Sequence, residues 1–101
     1  MSVYDYKNYR EYLVDFVRSQ KISWREMARR CGFKTDSYLI EISYYVKRLS
    51  SDSAWAVCHG LGLTGREITY FRLIMVMNDT GNELEREWAI KEMKGARDGR
   101  R

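Results

Sequence analysis

The sequence predicts an all-α protein, and three features of the chain favour this class. Apolar residues recur at spacings of three and four along most of its length, which is the period of amphipathic helices. Residues that commonly cap helix N-termini stand before several of these segments, and the 101-residue chain contains no proline. Hydrophobic residues make up 45% of the chain, which is enough for one folded domain with a modest core.

The patterns predict six helices, at approximately 5–19, 24–31, 36–46, 51–62, 64–78 and 82–94. We expect a five-helix domain over residues 1–78, a further helix within 79–94 and a flexible basic tail over 95–101. No segment reaches the roughly 18 apolar residues of a membrane helix. The N-terminus lacks the basic and apolar regions of a secretory signal, so the sequence favours a cytoplasmic protein with no membrane partner.

Helix 1 is indicated by an aromatic stripe. Tyr6, Tyr9, Leu13 and Phe16 fall on one side at helical spacing. Rings in this pattern are typical of core packing, and we expect them to be buried rather than to stack on nucleic-acid bases.

Helices 2 and 3 carry the clearest local signal, because a glycine-containing turn joins them. Ser23 and Glu26 form a capping-box pattern that starts helix 2, and Gly32 can take the positive φ that ends it. Thr35 or Asp36 is expected to cap helix 3. Two short helices in this relation predict a helix-turn-helix motif, whose second helix commonly enters the major groove of DNA.

Ala28 of helix 2 is small, which lets a second helix cross close by. Cys31 and Cys58 are predicted to be buried thiols, with a disulfide between them as the alternative. His59 is the only histidine and has no partners at catalytic spacing. Zinc-ligand spacings and phosphate-binding glycine motifs are also absent from the sequence, so we expect neither an enzyme nor a bound metal or cofactor.

Helix 5 is apolar on nearly all sides, so both of its faces must be covered. Successive residues such as Met75, Val76 and Met77 point about 100° apart and cannot all face one core. The sequence predicts a homodimer interface formed by these three residues together with Leu84 and Trp88 of helix 6. The alternative is that helix 6 folds back over helix 5 within one chain.

Positive charge is concentrated in and beside the predicted motif. Residues 18–48 contain eight basic and three acidic residues, a net charge of +5, whereas the whole chain carries +4. The basic residues are Arg18, Lys21, Arg25, Arg29, Arg30, Lys34, Lys47 and Arg48. Clustered lysine and arginine favour a phosphate-binding surface, although basic faces of this size also occur without a partner.

The helical spacing of helix 3 predicts which side chains face double-stranded DNA. Ser37 can bond to a base or a phosphate, Ile40 can meet a thymine methyl group and Glu41 can accept a hydrogen bond from a cytosine amine. The full predicted contact set is Ser23, Arg25, Lys34, Thr35, Ser37, Tyr38, Ile40, Glu41, Tyr44, Lys47 and Arg48. This surface has few bidentate donors, and exposed Ile40, Tyr44 and Tyr45 would equally suit a protein partner bound through helix 3.

The chain resembles the Cro/C1-type (Xre-like) helix-turn-helix domain over about residues 4–78. It is most similar to the N-terminal domain of a family of regulators found largely in predatory and related bacteria. The matching stretches are Tyr4-Asp5-Tyr6 with Tyr9 and Leu13, Ser23-Trp24-Arg25, Ala28 to Phe33, Ser37-Tyr38-Leu39, Leu49-Ser50, Gly62-Leu63, and Arg66-Glu67 with Tyr70-Phe71. The resemblance implies a small DNA-binding transcriptional regulator, located in the bacterial cytoplasm and associated with the nucleoid. The chain departs from this pattern where Tyr44 to Arg48 replace the family's glycine and basic residues.

Overall fold

A computed structural model describes residues 1–99, and these residues form helices, turns and loops without a strand. A short 3-10 helix precedes six α-helices. Their bounds are Val3–Asp5 for the 3-10 helix, then α1 Tyr9–Gln20, α2 Trp24–Cys31, α3 Ser37–Ser43, α4 Ser51–Gly60, α5 Arg66–Asp79 and α6 Glu83–Gly99. The predicted all-α class is therefore confirmed. Over the same residues, no helix is long and apolar enough to cross a bilayer.

The predicted capping box of α2 is half formed, and so is the equivalent Thr64–Glu67 pattern before α5. The Ser23 hydroxyl accepts the Glu26 backbone N–H at 3.0 Å, but the Glu26 carboxylate binds Arg29 and Arg30 instead of reaching back. At the start of α5, the Thr64 backbone N–H donates to the Glu67 carboxylate at 3.3 Å. No side chain caps α5 itself, since its N-cap residue is a glycine, and this helix begins at Arg66 rather than at the predicted position 64.

The turn between α2 and α3 follows the prediction at its start and departs from it at its end. Gly32 has a φ of 83°, and its N–H and that of Phe33 donate to the last carbonyls of α2. Asp36 is the N-cap of α3, but its carboxylate accepts no backbone N–H, so the expected side-chain cap there is wrong. The helix also stops at Ser43, three residues early, because the chain turns into a left-handed conformation at Tyr45.

The close approach of α2 and α4 depends on a glycine that the sequence argument overlooked. A Cβ atom placed on Gly60 would lie 2.5 Å from the Cys31 sulfur and 3.2 Å from the Met27 methyl carbon. Ala28 is buried as expected. The last turn of α4 therefore packs directly on the last turn of α2, and this contact fixes the position of the helix that leads into the turn.

The C-terminal helix covers α5 within a single chain. Ala89 and Met93 of α6 are buried, and the packing of α6 on α5 is the most extensive between any two described helices. Met75, predicted at a dimer interface, is buried inside the chain, while Leu84 and Trp88 remain 77% and 51% exposed. The helix runs on through Gly99, so residues 95–99 are helical rather than a flexible tail. Residues 100 and 101 of the predicted tail lie outside the described residues.

Candidate nucleic-acid interface

The turn between α2 and α3 brings together four of the predicted contact residues. Arg25, Lys34, Thr35 and Ser37 line one surface depression, together with Arg29 and Asp36. Arg25 projects from the first turn of α2, and Ser37 is the first residue of α3, so the depression spans both helices and their connection. Backbone geometry set by Gly32 thus gathers cationic and hydroxyl side chains that are separated by up to 12 positions along the chain.

The cations around this depression differ in how far they are neutralised. Arg29 and Arg30 both hydrogen-bond the Glu26 carboxylate. These bonds lower the pKa of Glu26 to about 2, and the bond from Arg29 has the larger effect. Among the described residues, no carboxylate lies within ion-pair distance of Arg25 or Lys34. Both side chains are exposed and make no ion pair, and the Asp36 carboxylate lines the same depression. Free cations beside hydroxyl groups are the chemistry that binds phosphate oxygens.

A second group of predicted residues follows α3. Tyr44, Lys47 and Arg48 are all exposed in the loop between α3 and α4. Lys47 Nζ lies 3.8 Å from a Glu41 carboxylate oxygen, a distance at which solvent screens much of the attraction. Arg48 makes no ion pair with any residue in the described range. The loop therefore presents a second positive segment at the opposite end of α3 from Lys34.

The exposed face of α3 itself is small and carries few polar groups. Ser37 is exposed, whereas Ile40 and Glu41 are half-buried rather than fully outward as the spacing predicted. The helix from Ser37 to Ser43 contains no arginine, lysine, asparagine or glutamine. Arginine and lysine recognise guanine by hydrogen bonds, and asparagine and glutamine recognise adenine in the same way. Acidic side chains recognise cytosine instead. Glu41 is the one long polar side chain of α3, and it also faces Lys47.

Two of the predicted contact residues have roles within the chain. The Tyr38 hydroxyl donates to the Arg48 carbonyl oxygen at 3.2 Å and accepts the Ser50 backbone N–H at 3.0 Å. Its ring meets Phe33 edge-on, with 5.7 Å between the ring centroids. Tyr38 therefore holds the end of the α3–α4 loop instead of joining the residues of the depression. Ser23, as described above, uses its hydroxyl to cap α2.

Arg10 positions the same loop, a role that the sequence pattern did not predict. This residue is only 6% exposed. Its Nε donates to the Ile42 carbonyl oxygen at 3.1 Å and its Nη2 to that of Lys47 at 3.2 Å. Its Nη1 pairs with the Asp79 carboxylate at 3.1 Å. One buried guanidinium thus joins the end of α3, the following loop and the end of α5.

Tyr9 completes this buried polar cluster. Its hydroxyl donates to the Asp79 carboxylate at 2.6 Å and accepts the Leu49 backbone N–H at 3.2 Å. Burial and the bond to Asp79 raise the pKa of the Tyr9 phenol, which therefore stays protonated at neutral pH. Asn78 adds two bonds, accepting the Tyr9 backbone N–H and donating to the Lys7 carbonyl oxygen. The cluster fixes the start of α4 against α1 and α5.

The residues considered for other chemistry lie apart from this surface. Cys31 and Cys58 are both free and buried, and burial raises the pKa of each thiol to about 11. They are therefore neutral thiols at physiological pH, as the sequence predicted. His59 is exposed near the end of α4. Over residues 1–99, no three His, Cys, Asp or Glu side chains are grouped as metal ligands.

Comparison with known proteins finds no matching family model, no matching curated protein and no matching solved structure.

Proposed function

We propose that this protein binds double-stranded DNA as a small transcriptional regulator of the Cro/C1-type helix-turn-helix class. In this proposal α3 lies in the major groove, and basic residues of α2 and of the loops at both ends of α3 hold the phosphates. The observation that carries the proposal is the depression between α2 and α3, where Arg25 and Lys34 stand free of carboxylate partners beside Thr35 and Ser37. Lys47 and Arg48 extend the positive surface beyond α3.

Binding measured at several salt concentrations tests the proposal. If the cations neutralise phosphates, the logarithm of the binding constant should fall linearly with the logarithm of salt concentration, with a slope of about −0.9 per phosphate contact. We expect the variant with Arg25, Lys34, Lys47 and Arg48 all replaced by alanine to show a flatter slope and an unchanged helical circular-dichroism spectrum. Fluorescence anisotropy with labelled genomic fragments provides the measurement.

A charge-matched control separates site-specific binding from general attraction between a basic protein and DNA. Lys91 and Lys94 are exposed on α6, away from the α2–α3 turn. The Lys91→Ala/Lys94→Ala variant loses the same charge as Arg25→Ala/Lys34→Ala, yet only the latter should flatten the salt slope. Equal effects of the two double variants, or no binding to any duplex at low salt, would contradict the proposal.

A homodimer belongs to the same proposal, because two copies can address two half-sites. Trp55 and Trp88 flank an apolar groove on the outer surface of α4, α5 and α6, also lined by Ile68, Leu73 and Val76. Both tryptophans are exposed, and large exposed aromatic side chains around an apolar groove are typical of interfaces. Within this proposal the second copy packs on the part of α5 that α6 leaves open, between Trp55 of α4 and Trp88 of α6.

The exposed apolar residues after α3 favour a second candidate function, recognition of a protein partner. Tyr44 and Tyr45 are among the most exposed large hydrophobic side chains of the described residues. Under this alternative, Tyr44→Ala should abolish capture of the partner and leave DNA retention unchanged. Ile40→Asp does not test this alternative cleanly. The Ile40 side chain is half-buried, so an aspartate there would disturb folding as well as binding.

A further inference from the structure

The loop after α3 carries the longest run of exposed apolar side chains in the part of the chain that the structure describes. Tyr44, Tyr45 and Val46 are 75%, 61% and 67% exposed. The other large exposed hydrophobic residues there stand singly along the sequence, at Met1, Trp55, Leu84, Trp88 and Ile90. Single exposed apolar residues are ordinary, but a contiguous apolar group indicates a contact surface.

Contacts with α1 and α3 anchor this loop at its centre, where Tyr45 has a strained backbone. Tyr45 has a φ of 65°, which is uncommon for a bulky side chain. Its backbone N–H donates to the Ile42 carbonyl oxygen at 3.1 Å, and its hydroxyl accepts a bond from Asn8 at 2.9 Å. The Arg10 guanidinium lies 4.7 Å from the centre of its ring. With Tyr45 fixed against α1 in this way, Tyr44 and Val46 project from a preorganised turn.

Two exposed cations continue the same rigid segment. The carbonyl oxygen of Lys47 accepts a bond from Arg10, and that of Arg48 accepts one from Tyr38, so the backbone of both residues is anchored while their side chains face solvent. An apolar tip followed at once by two positive charges matches the chemistry of nucleic acid, in which flat apolar bases alternate with anionic phosphates. The charge of this segment thus favours DNA over an apolar protein surface as its occupant.

The composition of α3 leaves a role for such a loop. Because Ser37–Ser43 contains none of the side chains that make bidentate contacts to guanine or adenine, direct reading of bases by this helix is limited. Proteins can also select DNA by the energy needed to deform it, and pyrimidine–purine steps such as TA unstack and kink most easily. Apolar side chains inserted between base pairs are a recurrent means of producing such a kink.

We propose that Tyr44 and Val46 form an apolar wedge that inserts at a flexible pyrimidine–purine step of duplex DNA and bends it. Lys47 and Arg48 hold the phosphates next to the opened step, and α3 lies in the adjoining major groove. The wedge gives the protein a preference for deformable sites without direct hydrogen bonds to the bases. This inference depends on the proposed DNA-binding function, and it adds the class of site and the means of its selection.

Bending and affinity are measured together on two duplexes of equal length. One duplex carries a central TA step and the other a central A-tract, and a fluorescence donor and acceptor at the two ends report the end-to-end distance. The full chain should shorten this distance on the TA duplex and bind that duplex about tenfold more tightly, an effect in the range of base–aromatic stacking energies. The Tyr44→Ala/Val46→Ser variant should lose both effects, whereas Tyr44→Phe should keep them because the ring is retained.

Ile90→Ala provides the control, since it removes another exposed apolar side chain, on α6 and outside the proposed DNA and dimer contacts, and should leave bending unchanged. Circular dichroism of each variant shows whether the fold is kept, which the exposure of Tyr44 and Val46 leads us to expect. Binding with a normal salt slope but without bending would overturn the wedge and leave the proposed function standing. Bending that survives in Tyr44→Ala/Val46→Ser would also overturn it, and absence of binding to either duplex at low salt would remove both proposals.

Discussion

At the scale of single residues, Gly60 is where the backbones of α2 and α4 come closest. In Gly60→Ala the added Cβ would lie 2.5 Å from the Cys31 sulfur, so the Cys31 side chain or one of the two helices must shift. We expect a loss of about 1–3 kcal/mol in the free energy of unfolding, measured by urea denaturation. Gly95→Ala is the control, because its Cβ meets open space in α6 and should stabilise the helix by about 0.5–1 kcal/mol. A neutral Gly60→Ala would show that the close approach is not required, and Cys31→Ala in the same background should recover part of the loss.

Arg10 is the second residue whose substitution has a defined outcome. Arg10→Met keeps most of the side-chain volume but leaves the Asp79 carboxylate without its cation and the Ile42 and Lys47 carbonyls without their donor. Breaking a buried pair in this way should lower the free energy of unfolding by about 3–5 kcal/mol. We also expect hydrogen exchange at the Leu49 amide to accelerate.

A paired substitution distinguishes the effect of the lost ion pair from that of the lost hydrogen bonds to the Ile42 and Lys47 carbonyls. In Arg10→Met/Asp79→Leu the buried charge is gone as well, so much of the stability should return. Loop order should not return, because the two carbonyls still lack their donor. Full recovery of both properties would show that Arg10 acts on the loop only through its ion pair.

At the scale of the helices, the sequence predicted a helix end correctly where neighbouring residues set it. It failed where residues far away in the chain set the end. The bounds of α2 and its glycine stop were predicted because Ser23 and Gly32 act on their own turn of helix. The end of α3 was missed because the positive φ of Tyr45 is held by Asn8 and Arg10, more than 30 positions earlier. Local capping rules contain no information about such partners.

The residues of the candidate site likewise fall into those that the sequence identified and one that it did not. Cations and hydroxyl residues near the predicted turn were identified from spacing and charge, and four of them do line one depression. Arg10 was overlooked although its position, three residues before Leu13 and seven before Val17, places it on the buried face of α1. A basic residue within an apolar stripe was the available signal, and it indicates a buried polar partner. The partner itself, at the end of α5, could not be predicted from the spacing within α1.

The contact between α6 and α5 supports a prediction for the element as a whole. Met93 is buried against α5, whereas Ile90 on the same helix is 48% exposed. Met93→Ala should therefore lower the free energy of unfolding by about 2–4 kcal/mol, and Ile90→Ala by less than about 1 kcal/mol. Thermal denaturation followed at 222 nm compares the two. Equal small effects would mean that α6 contributes little to the stability of the domain.

At the scale of the whole molecule, buried acids make stability depend on alkaline pH. Burial raises the pKa of Cys31 and Cys58 from 9.0 to about 11, so only the unfolded chain loses these protons between those values. The stability contributed by the neutral thiols is therefore complete below pH 9 and is lost as the pH rises to about 11, by up to roughly 1.4 kcal/mol per pH unit for each thiol. Tyr9 and Tyr12, whose pKa values burial also raises, act in the same direction from about pH 10.

Urea denaturation at pH 8, 9 and 10 should show that the free energy of unfolding declines with pH, and that it declines less in Cys31→Ala/Cys58→Ala. An identical decline in that variant would exclude the thiols as its source.

The proposed dimer is the remaining prediction for the whole molecule. The groove between Trp55 and Trp88 is apolar and solvent-exposed in the single chain, so association of two copies would remove both tryptophans from water. We expect sedimentation equilibrium of the full chain at micromolar concentration to give a dimer, and Trp88→Asp to give a folded monomer because Trp88 contributes little to the fold of one chain.

A chain ending at Asn78 should aggregate or dissociate, since it loses the cover that α6 provides for α5. If the full chain remains monomeric at high micromolar concentration, the dimer is excluded. The protein would then contact a single half-site, and operator sequences with twofold symmetry one helical turn apart would no longer be expected.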